Sequence, residues 1–355
     1  MLPRKPICRV NDNYEINNTS MISPLFSEKS IVTPEQRRPP VIAVGLPRSG
    51  SSFLADVVSQ LDGWYMFDDL YLYREAAALD AVDKPLTSQQ LEKLVFFLGW
   101  QIRARIKFGL YCVPNMSLDD VDKMDAALLR TFQNKEIMWF HLLEEWMVRL
   151  AHNEGCLNWG YKAPQDFLNV ELLRKAFPGV RFIFIKRDPR KMLRSLKHVT
   201  DQDGHPDQYH PVVYSLYWNK AHDIMENVSQ STDIVQKVKF EDLISDPDGI
   251  ANELCEFLDA RLSHPIKAGK KNTSFVAKQK KSISPTEQWI CERICGHRLL
   301  EYGEDTINGR FRIRDLPELI IISLRFGFHQ VSRVFRKKSS WISIKQLIFR
   351  KQDRT

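Results

Sequence analysis

Gly45-Leu-Pro-Arg-Ser-Gly-Ser-Ser-Phe-Leu54 follows the apolar run Val41-Ile-Ala-Val44 and leads into Leu54-Ala-Asp-Val-Val58. The order reads as strand, tight loop, helix, in which backbone N–H groups and a helix N-terminus cradle a phosphate. Glycine at 45 and 50 lets the backbone approach an anion closely, and Ser49, Ser51 and Ser52 offer hydroxyls. The loop is not a Walker A sequence, because Ser51 stands where that motif has lysine. Its basic side chain is Arg48, on the other side of the second glycine. That arrangement suits a shorter anion without an obligatory metal and disfavours a nucleoside triphosphatase.

A second segment of the same kind is Val180-Arg-Phe-Ile-Phe-Ile-Lys-Arg-Asp-Pro-Arg-Lys-Met-Leu-Arg-Ser-Leu196. Residues 180–186 have the composition of a buried strand, and Pro189 ends it and opens a helix. Arg187 therefore falls at the carboxyl end of a strand, with Ser195 two turns into the next helix. Open parallel sheets bind their ligands at such places. An arginine fork with a nearby hydroxyl can hold a second phosphate.

Pro47-Arg-Ser-Gly-Ser-Ser52 resembles the 5′-phosphosulfate loop of sulfotransferases that use 3′-phosphoadenosine 5′-phosphosulfate (PAPS), and Arg187 through Ser195 is similar to that family's 3′-phosphate site. Arginine in the first loop looks most like the carbohydrate and tyrosyl-protein branch. Gly160-Tyr-Lys-Ala-Pro164, Tyr217-Trp-Asn-Lys-Ala221 and Lys239-Phe-Glu-Asp-Leu243 with Asp246-Pro247 match further family segments in order, so that the resemblance spans about residues 40 to 300. It implies an α/β fold, a three-layer, P-loop NTPase-like parallel sheet, with PAPS as co-substrate and no metal. It places Pro47, Arg48, Ser49, Gly50, Ser51, Ser52 and Phe53 on the 5′-phosphate, and Arg187 and Ser195 on the 3′-phosphate. Lys271, Asn272, Thr273 and Ser274 resemble the family's mobile loop over the nucleotide, with a solvated charge run as the alternative. Phe240 stands where relatives often carry a tyrosine.

The resemblance also implies the catalytic set. Arg48 stabilises the leaving 5′-phosphate, and Lys162 matches a lysine that contacts the transferred sulfonate. Asp69, 21 residues past Arg48, lies where the branch carries a catalytic glutamate, with Asp68 behind it. Its side chain is one methylene shorter than glutamate, and capping a helix over Tyr71 to Leu79 is the competing role. His198, His205 and His210 cluster after the second phosphate helix and read as lining a loop, with the role of base as the alternative. For Arg187 the competing role is an ion pair with Asp188 or Glu171.

A chain of 355 residues, 43% hydrophobic, can bury a large core. No apolar run reaches the roughly eighteen residues of a membrane span, and Met1-Leu-Pro-Arg-Lys-Pro6 opens no signal-like stretch. Six scattered cysteines, with no C-x-x-C pair, suggest a reducing cytoplasm, and Cys291 and Cys295 read as packing residues; the family resemblance implies a soluble, bacterial-type member. Net charge is +7, but residues 310–355 hold twelve Lys/Arg against three Asp/Glu, a balance of +9 that leaves about −2 for everything before. Nucleic acid is therefore not the expected partner. The expected partner is a small-molecule or carbohydrate acceptor, sulfonated on a hydroxyl or an amine.

Three regions follow: a loose leader over 1–38, a sulfotransferase-like domain over 39–305, and a basic helical extension over 306–355. Strands are expected near 41–44, 63–67, 158–162, 180–186 and 234–240. Between the second and third, helical periodicity over about 87–153 marks an insertion, which in this family shapes the acceptor pocket. Trp100, Trp139 and Trp218 sit at helical spacing and read as core before they read as a sugar platform. Leu316 to Phe335 reads as a basic amphipathic helix packed on the domain, with contact to an acidic membrane surface as the alternative. A nucleotide kinase and a binding module without chemistry remain open as other functions.

Overall fold

The computed structural model describes residues 24–31, 38–109, 114–202, 206–267, 282–302 and 309–336. Lys271, Asn272, Thr273, Ser274 and His205 lie outside the described residues, as do most of the leader and the end of the extension.

Five strands form one sheet: β1 (Val41–Gly45), β2 (Trp64–Asp68), β3 (Asn158–Lys162), β4 (Arg181–Lys186) and β5 (Val235–Lys239). Their spatial order is β2-β3-β1-β4-β5, with every neighbouring pair parallel. The connections are helical: α1 (Ser51–Val58) leads to β2, α6 (Val170–Ala176) to β4, and α7 (Pro189–Gln202) with α8 (Pro211–Ser231) to β5. β1 lies at the centre, so the chain leaves it toward one edge and later returns past it to β4. A ligand crevice is expected outside the carboxyl ends at such a reversal.

Alternation along the strands sends side chains to two cores. Ile42, Val44, Phe67, Trp159, Phe182 and Phe184 join the larger one. Val41, Ala43, Met66, Ile183, Ile185 and Val238 face α1 and α10 (Pro247–Leu258) in the smaller. Covered on both faces, the sheet is the middle of three layers, a three-layer, P-loop NTPase-like α/β fold.

The insertion consists of α3 (Ser88–Phe108), α4 (Leu118–Phe132) and α5 (Trp139–Asn153), preceded by the short α2 (Leu72–Ala78). Thr87 with Gln90, and Ser117 with Asp120, close capping boxes that fix where α3 and α4 begin. Trp146 of α5 is fully buried, its ring edge-on to Phe67 of β2 at 4.9 Å, so the last helix of the insertion is a wall of the sheet rather than an appendage.

Part of the expected loose leader is docked instead. Arg149 on α5 is fully buried; it pairs with Glu145 at 2.8 Å and donates to the carbonyls of Leu25 and Ser27. Glu145 in turn accepts from the Ile31 amide and the Ser30 hydroxyl. A buried charge pair needs additional hydrogen bonds to offset its desolvation, and the segment Pro24–Ile31 supplies them as backbone groups that leave no apolar period in the sequence.

Asp166 to Phe177 reads from sequence as one helix, but its first part is not α-helical. Pro164–Asn169 is a 3-10 turn, held by Asp166 N–H to Ala163 at 2.9 Å and by Asn169 Nδ2 to Asp166. Only then does α6 begin. After β5 come α9 (Phe240–Ser245), α10, α11 (Pro285–Cys295) and α12 (Leu316–Arg336). Trp139 and Trp218 are core residues, while Trp100 is half exposed. No helix among the described residues is long and apolar enough to cross a membrane. Cys156 is disulfide-bonded, and with Cys255, Cys291 and Cys295 free its partner lies outside the described residues. The scattered spacing of the six cysteines gives no sign of this bond.

Candidate functional site

The loop after β1 turns within four residues. The Ser49 amide donates to the Leu46 carbonyl at 3.1 Å, and its buried hydroxyl donates to the same oxygen at 2.6 Å. Ser49 therefore folds the loop. Arg48 has a left-handed backbone, φ 72°, and Gly50 follows at φ 98°. Among the described residues, Arg48 is the one positive-φ position that is neither glycine, aspartate nor asparagine. Backbone strain of this sort is held in place where surrounding contacts over-determine it.

Those contacts come from the second segment. The Arg187 guanidinium donates to the Arg48 carbonyl at 2.7 Å, and Arg48 Nε donates to Ser195 Oγ at 3.2 Å. The two anion grips expected from separate stretches of sequence are thus one cluster, where β1 and β4 end. Asp188 and Glu171 do not hold Arg187: the first pairs with Arg190 at 3.1 Å and the second with Arg174. Burial makes the Arg187 charge costly, and Arg48 adds repulsion against partial relief from Glu241 and Asp188. Two guanidinium groups drawn together in this way favour an anion with more than one charge.

Phe240, the first residue after β5, completes this side. Its ring lies under the Arg187 guanidinium, 4.3 Å from the centroid. It also covers Gly50 so closely that a Cβ there would fall 2.1 Å from the ring. Glycine is required at 50 by both its φ and its neighbour.

α1 starts at Ser51 with no side chain capping its first turn. Ser51 is buried, Phe53 packs at the edge of the smaller core, and Pro47 is half-buried in the turn. Ser52 points across to β3, its hydroxyl 3.2 Å from Lys162 Nζ. The register explains the meeting: Lys162 pairs with Ala43 of β1 on one side and Asp68 of β2 on the other.

Lys162 is almost wholly buried and lies 2.7 Å from both Asp68 Oδ1 and Asp69 Oδ1. Asp68 is the last residue of β2, and Asp69 follows in left-handed conformation, φ 56°, which turns its carboxylate back toward the lysine. Asp69 is therefore not a helix cap; α2 begins at Leu72 behind Tyr71 and has no side-chain cap. Burial pushes the Asp68 carboxyl up, with Lys162 opposing it and Asp69 adding repulsion. The Tyr71 hydroxyl reaches Asp69 Oδ1 at 3.5 Å, and burial raises it far above its usual range, with Asp69 adding to the effect.

Of the histidines, His210 is engaged elsewhere. Its Nδ1 accepts from the Val213 amide at the start of α8 and its Nε2 meets Ser323 of α12 at 3.1 Å. Burial lowers its basicity. A helix cap consumes the nitrogen that a base would use, so His210 is withdrawn as a candidate. His198 lies on α7, three residues beyond Ser195.

Three supporting groups carry no sequence signal of their own. The Trp218 indole N–H donates to the Arg187 carbonyl at 3.0 Å. Arg105 of α3 stacks on Phe67 at 4.1 Å and donates to the Asp68 carbonyl. Asp166, buried in the turn after β3, receives the Tyr161 hydroxyl at 3.4 Å and Asn169 Nδ2 at 3.2 Å. Only Trp218 sits in a recognisable segment, and there its aromatic character points to packing rather than to a hydrogen bond.

The chain matches the sulfotransferase family model over residues 39–264. No curated protein matches it. Among solved structures it is similar to the sulfotransferase domain of the Synechococcus PCC 7002 olefin synthase, at 13% identity, covering 81% of this chain and 94% of that one, with a TM-score of 0.46. It is similar to the sulfotransferase domain from the curacin biosynthetic pathway at 15% identity, 74% and 98% coverage and a TM-score of 0.46. For sulfotransferase STF9 from Mycobacterium avium the values are 14%, 77%, 79% and 0.41.

Proposed function

Because the chain belongs to the sulfotransferase family, we propose that it moves a sulfonate from PAPS to a hydroxyl or amine of a small-molecule or carbohydrate acceptor. The observation that carries this reading is the meeting of Arg48, Arg187 and Ser195 beside the Lys162–Asp69 pair. One cluster suits a doubly phosphorylated nucleotide, and the other offers a cation and a carboxylate for the transfer.

In this reading Arg187 and Ser195 hold the 3′-phosphate, and the loop amides from Gly50 to Phe53 with Arg48 hold the 5′-phosphate. The acceptor oxygen attacks sulfur in line. As its bond to sulfur forms, the bond between sulfur and the bridging phosphate oxygen breaks, and the electron pair stays on the departing nucleotide. Arg48 and Lys162 neutralise the charge that grows there. Asp69 takes the acceptor's proton, and Asp68 and Asp69 keep Lys162 aimed between them. With this much positive charge fixed in place, the reaction calls for no metal.

Titration with adenosine 3′,5′-bisphosphate in the absence of magnesium tests the donor site. Binding is expected for the wild type, with at least about a tenfold loss in Arg187→Ala. Radiolabelled PAPS offered with a panel of sugars and small alcohols tests the transfer. Absence of bisphosphate binding together with magnesium-dependent ATP turnover would instead support a kinase, and binding without any labelled product would support a module without chemistry.

A further inference from the structure

Among the described residues, α12 meets the body of the protein along one side. Ile322 packs against the larger core, Phe326 lies 5.2 Å from the His210 ring, and Glu318 pairs with Lys197 at 2.8 Å. Its other side carries Ile320, Ile321, Leu324, Phe328 and Val331, which are 58%, 49%, 69%, 78% and 56% exposed. At 100° per residue these five fall within an arc of about 100° on the helix, a continuous apolar stripe about three turns long. Ile313, just before the helix, is 77% exposed and extends it. Five large apolar side chains in one stripe exceed the scatter of single exposed hydrophobes that a surface normally carries.

The charge around the stripe selects its partner. Residues 310–355 hold twelve Lys/Arg and three Asp/Glu. Two of those three acids are turned to the protein: Asp315 accepts from the Thr286 hydroxyl at 2.7 Å, and Glu318 is bound by Lys197. Arg314 and Arg325 are exposed. The sequence beyond Arg336 keeps the same character, with Lys337-Lys338 and Arg350-Lys351 bracketing Trp341-Ile-Ser-Ile-Lys-Gln-Leu-Ile-Phe349. A second protein surface would need a matching acidic rim around an apolar groove. A leaflet containing anionic lipid provides both halves, with acyl chains for the stripe and headgroup phosphates for the arginines.

We propose that α12 is a docking surface for an anionic membrane, on which the helix lies in the interface without crossing it. This inference is independent of the donor site and stands or falls apart from it.

Flotation of the full-length protein with vesicles tests it, using phosphatidylcholine alone or phosphatidylcholine with phosphatidylserine. Wild type is expected to float with the anionic vesicles, to stay behind with the neutral ones, and to be released by high salt. Leu324→Glu with Phe328→Glu changes only exposed positions, so its circular dichroism and melting should match wild type while vesicle binding falls at least about tenfold. Failure of the wild type to float overturns the proposal, as does equal flotation of the double variant. A concentration-dependent dimer that the double variant dissolves, with no vesicle binding, would assign the stripe to a second copy of the chain instead.

Discussion

Arg48 shows how much one residue is asked to do. Its side chain reaches Ser195, its carbonyl is held by Arg187, and its backbone sits at φ 72°. Glycine at this position would relieve the left-handed strain, worth about 1 kcal/mol, while removing the guanidinium. Arg48→Gly is therefore expected to melt no lower than wild type and yet to transfer sulfonate at least about a hundredfold more slowly. A lower melting temperature would mean that the Ser195 contact matters more to the fold than the strain does. Lys162 behaves in the opposite way. Its alanine variant leaves Asp68 and Asp69 facing each other in a buried place without their shared cation. Both stability and turnover should fall, turnover by about two to three orders of magnitude, measured with donor saturating. Arg48, Lys162 and Asp69 could all be named from sequence because each stands in a family segment. That Asp68 and Asp69 grip the lysine jointly could not, since it depends on the register that sets Asp68 opposite Lys162.

At the scale of elements, the turn after β3 titrates. Burial lifts Asp166 from 3.8 to about 7, against the pull of Asn169, Arg74 and Tyr161. An unfolded chain ionises this carboxyl near 3.8, whereas the folded one keeps its proton until about 7. Folding therefore loses stability as pH rises through that window, and the loss is complete above it. Urea unfolding of wild type against Asp166→Asn should show the difference between them shifting against wild type from pH 4 to 7 and then levelling. A constant difference across that range would mean Asp166 is ionised throughout. The central strands and the insertion were legible because parallel strands buried on both faces are apolar along their length, and the inserted helices repeat apolar residues at helical spacing. The docked segment Pro24–Ile31 and the 3-10 turn Pro164–Asn169 were not. Both are fixed by long-range or side-chain hydrogen bonds, which leave no periodic trace in a sequence.

Taken whole, the molecule is a layered sandwich with the proposed site at one rim of its sheet, and two global measurements follow. Alkylation of the denatured, unreduced chain should label Cys255, Cys291 and Cys295 and spare Cys156; a labelled Cys156 would mean that it carries a free thiol. The other concerns β5. It is an edge strand, flanked only by β4 and largely half-exposed, yet the residue that follows it is Phe240, the ring on which Arg187 and Gly50 both rest. Partial detachment of that margin costs little buried surface and needs no melting of the interior. Turnover should therefore vanish at a denaturant concentration where tryptophan fluorescence still reports an intact centre. The working range of the catalyst would then be set by its outermost ribbon, and reinforcing that ribbon, not the interior, is the way to widen it.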